Sequence, residues 1–321
     1  MRRLIIFGII AVLVFCVSSA RAQKKEVRLS IATGGTGGVY YPLGGGMANI
    51  ISKYIPYAEA TAEVTTASVD NCLLVGKGKA ELALIMADTG WDAYQGKAQF
   101  KEKIPLRTVA VLYPNNMHIV TVGGKGIEKV TDLKGKRVST GAPGSGTEVM
   151  ALRVIEAYGL DPNKDMTRDK LGVSESAGAL KDGKIDAFFW VGGLPTAAVT
   201  DLGATPGIKI KLLDSADAVA KMRDKYGPLY IKGVIPAKTY PGQSVDDPIA
   251  VVWNLLVCNE NMKENLAYDI LKTLFDHKPE LVATHSDAKY LSLEPQAAGG
   301  SPIPFHPGAI RYFGEKGLKI K

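Results

Sequence analysis

Twice in this chain a β-rich run ends in a glycine-rich loop that leads straight into a helical pattern. The first unit is residues 27–33, the loop Gly34-Gly35-Thr36-Gly37-Gly38, and a helical stretch with Pro42 placed for its first turn. The second is residues 137–140, the loop Gly141-Ala142-Pro143-Gly144-Ser145-Gly146, and the helical stretch 149–158. A strand that turns through glycines into a helix leaves unpaired backbone N–H groups at the positive end of the helix dipole. Such a turn can hold an anion without a charged side chain.

The rest of the chain alternates in the same manner. Residues 62–66, 82–86, 108–113 and 118–122 read as strands, and 70–77 and 88–94 as helices. After the second glycine loop come a helix at 176–181, a strand at 187–191, and a helix opened by Gly192-Gly193-Leu194-Pro195. A turn-rich connection at 236–248 precedes a strand at 249–257 and a helix at 263–275, and a last helix starts near His306. This order predicts an α/β fold of two similar lobes, each with a largely parallel sheet covered on both faces. In open sheets of this type ligands bind beyond the carboxyl ends of the strands, so the two loops should face each other across a cleft. With 321 residues, two lobes is also what the length suggests. Lobe I is expected over 23–117 plus 249–321 and lobe II over 118–248, with the second crossing between 236 and 258.

Neither loop is a nucleotide motif. In the first, Tyr40 stands where a dinucleotide fingerprint needs its last glycine, and Glu59 lies in a polar loop instead of at a strand end. In the second, Thr147-Glu148 stands where a phosphate loop needs Lys and Ser/Thr, so no cation is available for phosphates. What remains is the backbone cradle. Each N–H bond to a carboxylate is worth roughly 1.5–3 kcal/mol. Three or four, less the cost of binding, could hold a micromolar ligand. Ser145-Gly146-Thr147-Glu148 also fits a capping box, in which Ser145 Oγ takes the Glu148 amide and Glu148 reaches back to the Ser145 amide. Ser68 or Asp70 is a candidate helix cap, and Ser68 and Asn71 are candidate ligand contacts.

Catalytic patterns are missing from the sequence. His118, His277, His285 and His306 are not at metal-ligand spacing, and there is no nucleophile elbow. His306-Pro307 reads as the start of a helix, and Phe188, Phe189 and Trp190 as a buried strand or an aromatic cleft wall. No enzyme activity, cofactor or metal is expected.

At the N-terminus, Arg2 and Arg3 precede an apolar run at 4–17, and Ala20-Arg21-Ala22 follows it. The run is too short to span a bilayer, which takes about 20 residues, and the three parts together read as a cleaved secretory signal over 1–22. A periplasmic location follows. The formal net charge of +7 includes Arg2, Arg3 and Arg21, so the mature chain is only mildly basic, with no cluster to bind nucleic acid. Cys72 and Cys258 are either buried free thiols or one bridge.

With these stretches in view, the chain resembles the TAXI-type solute-binding proteins of tripartite ATP-independent periplasmic (TRAP) transporters. The resemblance is carried by Ile31-Ala32-Thr33-Gly34-Gly35-Thr36-Gly37-Gly38-Val39-Tyr40-Tyr41-Pro42-Leu43-Gly44 and by Thr65-x-x-Ser68-x-x-Asn71. It extends through Asp132-Leu133-Lys134-Gly135-Lys136-Arg137-Val138, the second glycine loop, Gly192-Gly193-Leu194-Pro195-Thr196, Tyr240-Pro241-Gly242-Gln243, and Ile303-Pro304-Phe305-His306-Pro307-Gly308. It implies a cleft-closing, type II-like periplasmic-binding-protein fold, monomeric, that delivers a small carboxylate such as glutamate or 2-oxoglutarate to TRAP membrane subunits. The expected ligand contacts are Thr36, Gly37, Gly38, Val39, Tyr40, Ser68, Asn71, Ser145, Gly146, Thr147 and Gly193. The dicarboxylate branch of these transporters uses an Arg clamp, and no Arg stands near a loop here. One departure is Ala67, where the family usually has Gly; its methyl would narrow the pocket of the first lobe. The rival readings are a periplasmic enzyme acting on an organic acid and a ligand-sensing partner of a membrane kinase.

Overall fold

The computed structural model describes residues 26–320, so the proposed signal segment 1–22 lies outside the described residues. The first half begins with β1 (Val27–Ala32), α1 (Tyr40–Tyr54), β2 (Ala58–Glu63), α2 (Ser68–Gly76), β3 (Leu82–Met86), α3 (Ala87–Gln95) and β4 (Leu106–Val122). The middle of the chain supplies β5 (Arg137–Ser139), α4 (Gly146–Ala157), β6 (Thr167–Asp169), α5 (Val173–Lys181) and β7 (Ala187–Gly192). It continues with α6 (Ala197–Ala204), β8 (Ile210–Leu212), α7 (Ala218–Tyr226) and β9 (Tyr230–Ile235). Then come β10 (Asp247–Asn259), α8 (Glu264–Asp276), α9 (Lys278–Thr284), α10 (Leu293–Ala297) and α11 (Pro307–Glu315). None of the described helices is long and apolar enough to cross a membrane.

The strands form one continuous curled sheet in the order β2-β1-β3-β10-β4-β7-β5-β6, with β8 added to β4 and β9 to β10. The expectation of parallel sheets holds at the two ends only. β1 pairs parallel with β2 and β3, and β5 parallel with β6 and β7. In the middle, β10 runs antiparallel to both β3 and β4, and β4 antiparallel to β7. The reason is that the chain passes between the halves twice in opposite directions. The two passing strands, β4 and β10, pair with each other from Leu106↔Asn259 to Asn116↔Val251.

The runs at 108–113 and 118–122 are therefore parts of one long strand. Pro114 suggests a break because it cannot donate to a ladder, but it lies beside a bulge, where proline is tolerated. Leu112 and Tyr113 together oppose the single residue Asn254 between the pairs Val111↔Leu255 and Pro114↔Trp253. The second strand also lies earlier than expected, at Ala58–Glu63 instead of 62–66. There the alternation Ala58, Ala60 inward and Glu59 outward sets the strand at the sheet edge. The sequence reading has no counterpart for β6, β8, β9, α7, α9 and α10.

Helices cover both faces of the sheet, and β7 shows how its faces divide. Phe189 and Val191 join the large apolar core that also holds β1, β3, β4 and β10, whereas Phe188 packs into a second core with Val173, Val199 and Ile249. His118, expected to be without a metal partner, is buried beneath this second core. Its Nδ1–H donates to Asn116 O at 2.8 Å, which leaves Nε2 to accept from Tyr240 Oη at 2.7 Å. Burial lowers its pKa to about 4, so the ring is neutral. His306 does start a helix: its Nδ1 accepts from Gly308 N at 3.2 Å. Cys72 and Cys258 are both buried free thiols.

Candidate functional site

The two glycine loops meet across a cavity of about 300 Å3, within the range of small-molecule sites. Three helices begin at its wall, namely α1 after the first loop, α4 after the second, and α5 after Leu171-Gly172. The first amides of each helix have no acceptor within the helix. At α4 the accounting is complete. Ser145 N goes to Ala142 O at 3.1 Å, Glu148 N to Ser145 Oγ at 3.0 Å and Val149 N to Ser145 O at 3.4 Å, which leaves Gly146 N and Thr147 N. Among the lining residues the only charged side chain is that of Glu175, and there is no Lys or Arg. The positive contribution at this site is that of the backbone dipoles at the helix starts.

The capping box is half formed. Ser145 does cap α4, but Glu148 Oε2 accepts from Gly144 N at 3.3 Å instead of from Ser145 N, and Oε1 lies 3.3 Å from Lys170 Nζ. The reciprocal bond is missing because the Ser145 amide is already closed onto Ala142. Neither Ser68 nor Asp70 caps α2. Ala67 holds that position with φ 82° and ψ −144°, backbone that glycine adopts and other residues adopt only under strain. The sequence departure at Ala67 is thus a departure in backbone energetics as well as in volume.

Nine of the expected contact residues line the cavity: Thr36, Gly37, Gly38, Val39, Tyr40, Ser68, Ser145, Gly146 and Thr147. Two do not. Asn71 is fully buried behind the wall, where Nδ2 donates to Thr33 O and Leu84 O at 2.7 Å and Oδ1 accepts from Thr65 Oγ1 at 2.6 Å. It ties the end of β1 and the middle of β3 to Thr65 in the loop before α2. Gly193 lies beside the cavity, and a Cβ there would stand 2.3 Å from Asp287 Oδ2. Its neighbour Leu194 donates to that same carboxylate oxygen at 2.7 Å. Two hydroxyls in the set each accept one bond within the protein, which leaves the O–H of each available as a donor: Ser68 Oγ accepts from Met86 N at 3.1 Å, and Thr147 Oγ1 from Val191 N at 3.3 Å.

The loop glycines are explained by the opposite half of the molecule. A Cβ on Gly146 would stand 2.5 Å from Met86 Sδ and 2.7 Å from Ser68 Oγ. One on Gly38 would stand 2.8 Å from Trp190 Cη2. Further bonds cross the cleft. Gly144 O accepts from Val69 N at 3.1 Å and Asp70 N at 3.3 Å, capping α2 from the far side. Arg153 of α4 is 6% exposed; it bonds Asp92 and Tyr230 Oη and lies 3.4 Å from Asp88, itself wholly buried on α3. Burial works against the Arg153 charge, but Asp88, Tyr230 and Asp92 outweigh it and raise its pKa, while burial raises that of Asp92.

The sequence reading missed Tyr113 and Asn115, both cavity-lining residues from the bulged segment of β4. Asn254 fills the bulge: its Nδ2 donates to Tyr113 O at 3.2 Å and its Oδ1 accepts from Tyr40 Oη at 2.5 Å. Two polar side chains flanking a proline in an otherwise apolar strand were the available signal. Trp190 is the aromatic cleft wall of the earlier alternative, with Nε1 anchored on Thr196 Oγ1 at 2.9 Å.

This mixed sheet with two passing strands is the two-lobe fold also seen in periplasmic binding proteins. The malate-bound MatC of Rhodopseudomonas palustris superposes with a TM-score of 0.53 at 14% identity, over 90% of this chain and 96% of that one. The aliphatic sulphonate-binding protein SsuA of Escherichia coli gives 0.49 at 16% identity, over 90% and 82%. A putative L-cystine ABC transporter protein of Listeria monocytogenes gives 0.49 at 16%, over 82% and 95%. The chain belongs to the NMT1-like family, whose model matches residues 31–317.

Proposed function

We propose that the protein is an extracytoplasmic receptor that captures a small carboxylate-bearing solute and hands it to the membrane subunits of a TRAP-type transporter. The observation that carries the ligand class is the cavity into which α1, α4 and α5 begin, with unpaired amides at Gly146 and Thr147 and no cationic side chain. Such a wall favours an anion and supplies N–H donors to a carboxylate. The cavity volume suits a solute of the size of malate, the ligand of MatC. Delivery to TRAP subunits rests on the TAXI-type motifs, and periplasmic location on the signal-like segment 1–22.

In this reading the molecule works as a hinge. Lobe I (23–117 with 249–321) and lobe II (118–248) rotate about the two passing strands, at the bulge beside Pro114 and near Trp253, where the outer partner of β10 changes from β9 to β3. Ligand would favour the closed form, in which Gly144 caps α2. A thermal-shift screen of the purified mature protein against organic and amino acids tests the proposal. A carboxylate at about 100 times its Kd should add about 2.7 kcal/mol. Stabilisation by sugars or cations and by no carboxylate would reject it.

A further inference from the structure

The loops and the hinge have different chemistry. Helix-start amides are the same whatever solute they hold, so they recognise a carboxylate and not the carbon skeleton attached to it. Discrimination must come from side chains. Several polar side chains around the cavity already have partners: Ser68 on Met86, Thr147 on Val191, Ser145 on Glu148, Tyr40 on Asn254. Of the lining side chains without one, Thr36, Thr66, Ser174 and Glu175 are exposed. Two are not. Tyr113 Oη and Asn115 Oδ1 are buried, each residue being 1% exposed, and neither atom has a hydrogen-bond partner in the protein. Buried polar groups are rarely left this way, because an unmade bond costs most where water is excluded. Both residues border the cavity, and they lie two apart on one strand.

We infer that Tyr113 and Asn115 determine specificity, reading a hydrogen-bond donor on the carbon next to the bound carboxylate. The Tyr113 hydroxyl stays protonated, because burial, with Tyr40 and Asp287 nearby, pushes its pKa well above the ordinary value. It can therefore donate to a ligand oxygen or accept from a ligand N–H or O–H, while Asn115 Oδ1 can only accept. A hydroxyl or an ammonium satisfies both residues. An oxo group can accept from Tyr113 but leaves Asn115 Oδ1 unpaired in the orientation the amide has here, and a methylene leaves both unpaired, which is the situation in which sites reject an analogue most strongly. Their place on β4 gives the pair a second role. Pro114 between them sits at the bulge, so a ligand bonded to both also fixes the passing strand that the hinge would bend.

This inference rests on the carboxylate reading above, and one experiment separates the two. Calorimetry would compare matched acids of three, four and five carbons that differ only at C2; the five-carbon set is glutarate, 2-oxoglutarate, 2-hydroxyglutarate and glutamate. For the chain length that fits, the hydroxy or amino acid should bind at least ten-fold more tightly than the oxo and unsubstituted acids. Tyr113→Phe and Asn115→Ala should each reduce that ratio to below about three-fold, while leaving the unliganded melting temperature equal to or above that of the native protein. A structural role would instead lower the melting temperature and keep the ratio. If acids bind but the ratio is absent, favours the oxo acid, or survives both substitutions, the inference is wrong and the receptor reading stands. If no acid of any length binds, both fall.

Discussion

Replacing Gly146 by Ala separates closure of the cleft from folding of the lobes. Position 146 opens α4 with ordinary helical backbone, so alanine is compatible with the conformation and good for the helix. Its Cβ would nevertheless stand 2.5 Å from Met86 Sδ and 2.7 Å from Ser68 Oγ on the facing wall. Ordinary contact is 3.4 Å or more, so the walls must part by roughly 1 Å. Ser68 cannot simply rotate away, since its hydroxyl holds the Met86 amide. Overpacking of this kind costs about 1–3 kcal/mol, and it is felt only when the cleft is shut. Binding that requires closure should weaken by roughly 5- to 150-fold. The unliganded protein, free to open, should melt no lower than the native one and scatter with a larger radius of gyration. Calorimetry, small-angle scattering and a melting curve on the same preparation give the three readings. Native affinity with a native radius would refute the argument that the facing wall, and not the turn, is what requires glycine at 146.

The remaining predictions concern strain, the buried ion network and pH. Ala67→Gly should raise the melting temperature by roughly 1–5 °C, because relief of about 1–3 kcal/mol of strain exceeds the added freedom of the unfolded glycine; a lower value would mean that φ 82° is not costly here. Arg153→Met keeps the volume but strands Asp88 and Asp92, a penalty of about 3–5 kcal/mol that opening relieves by letting water in. It should therefore weaken ligand binding at least ten-fold and enlarge the unliganded radius, and unchanged scattering would contradict it. For pH, the folded pKa of His118 is lowered from 6.5 to about 4, so between these values the unfolded chain binds the extra proton and stability falls as pH falls. The loss should reach about 3 kcal/mol by pH 4, and His118→Gln should flatten that limb in denaturant titrations; Asp92 and Asp287, raised by burial, act in the opposite sense.

What could be read in the sequence was whatever is local. The glycine loops, the strand Leu82–Met86 and the helix starts at Ser145 and His306 follow from patterns within a few residues, and each appears where those patterns put it. The antiparallel middle of the sheet was not legible, because β4 and β10 are more than a hundred residues apart and their runs look like any buried strand. Pro114 hid the continuity of β4, since the bulge that accommodates it depends on Asn254. Of the site, the loops were legible, whereas the parts that Tyr113 and Asn115 play in the cavity wall were not. Asn71 looked like a ligand contact because polar residues at a helix start often are, but Thr65, Thr33 and Leu84 occupy it. Nothing local to the glycine loops shows that a Cβ at Gly38 or Gly146 would meet the other half of the chain.

The central claim is that backbone amides, with no cation, hold the ligand carboxylate. A crystal structure with a bound acid from the binding screen tests it most directly. The account predicts carboxylate oxygens within about 2.7–3.2 Å of Gly146 N and Thr147 N, with no Lys or Arg nitrogen in contact. A carboxylate seated on an arginine or lysine, or turned toward Trp190 with those two amides bound to water, would contradict it.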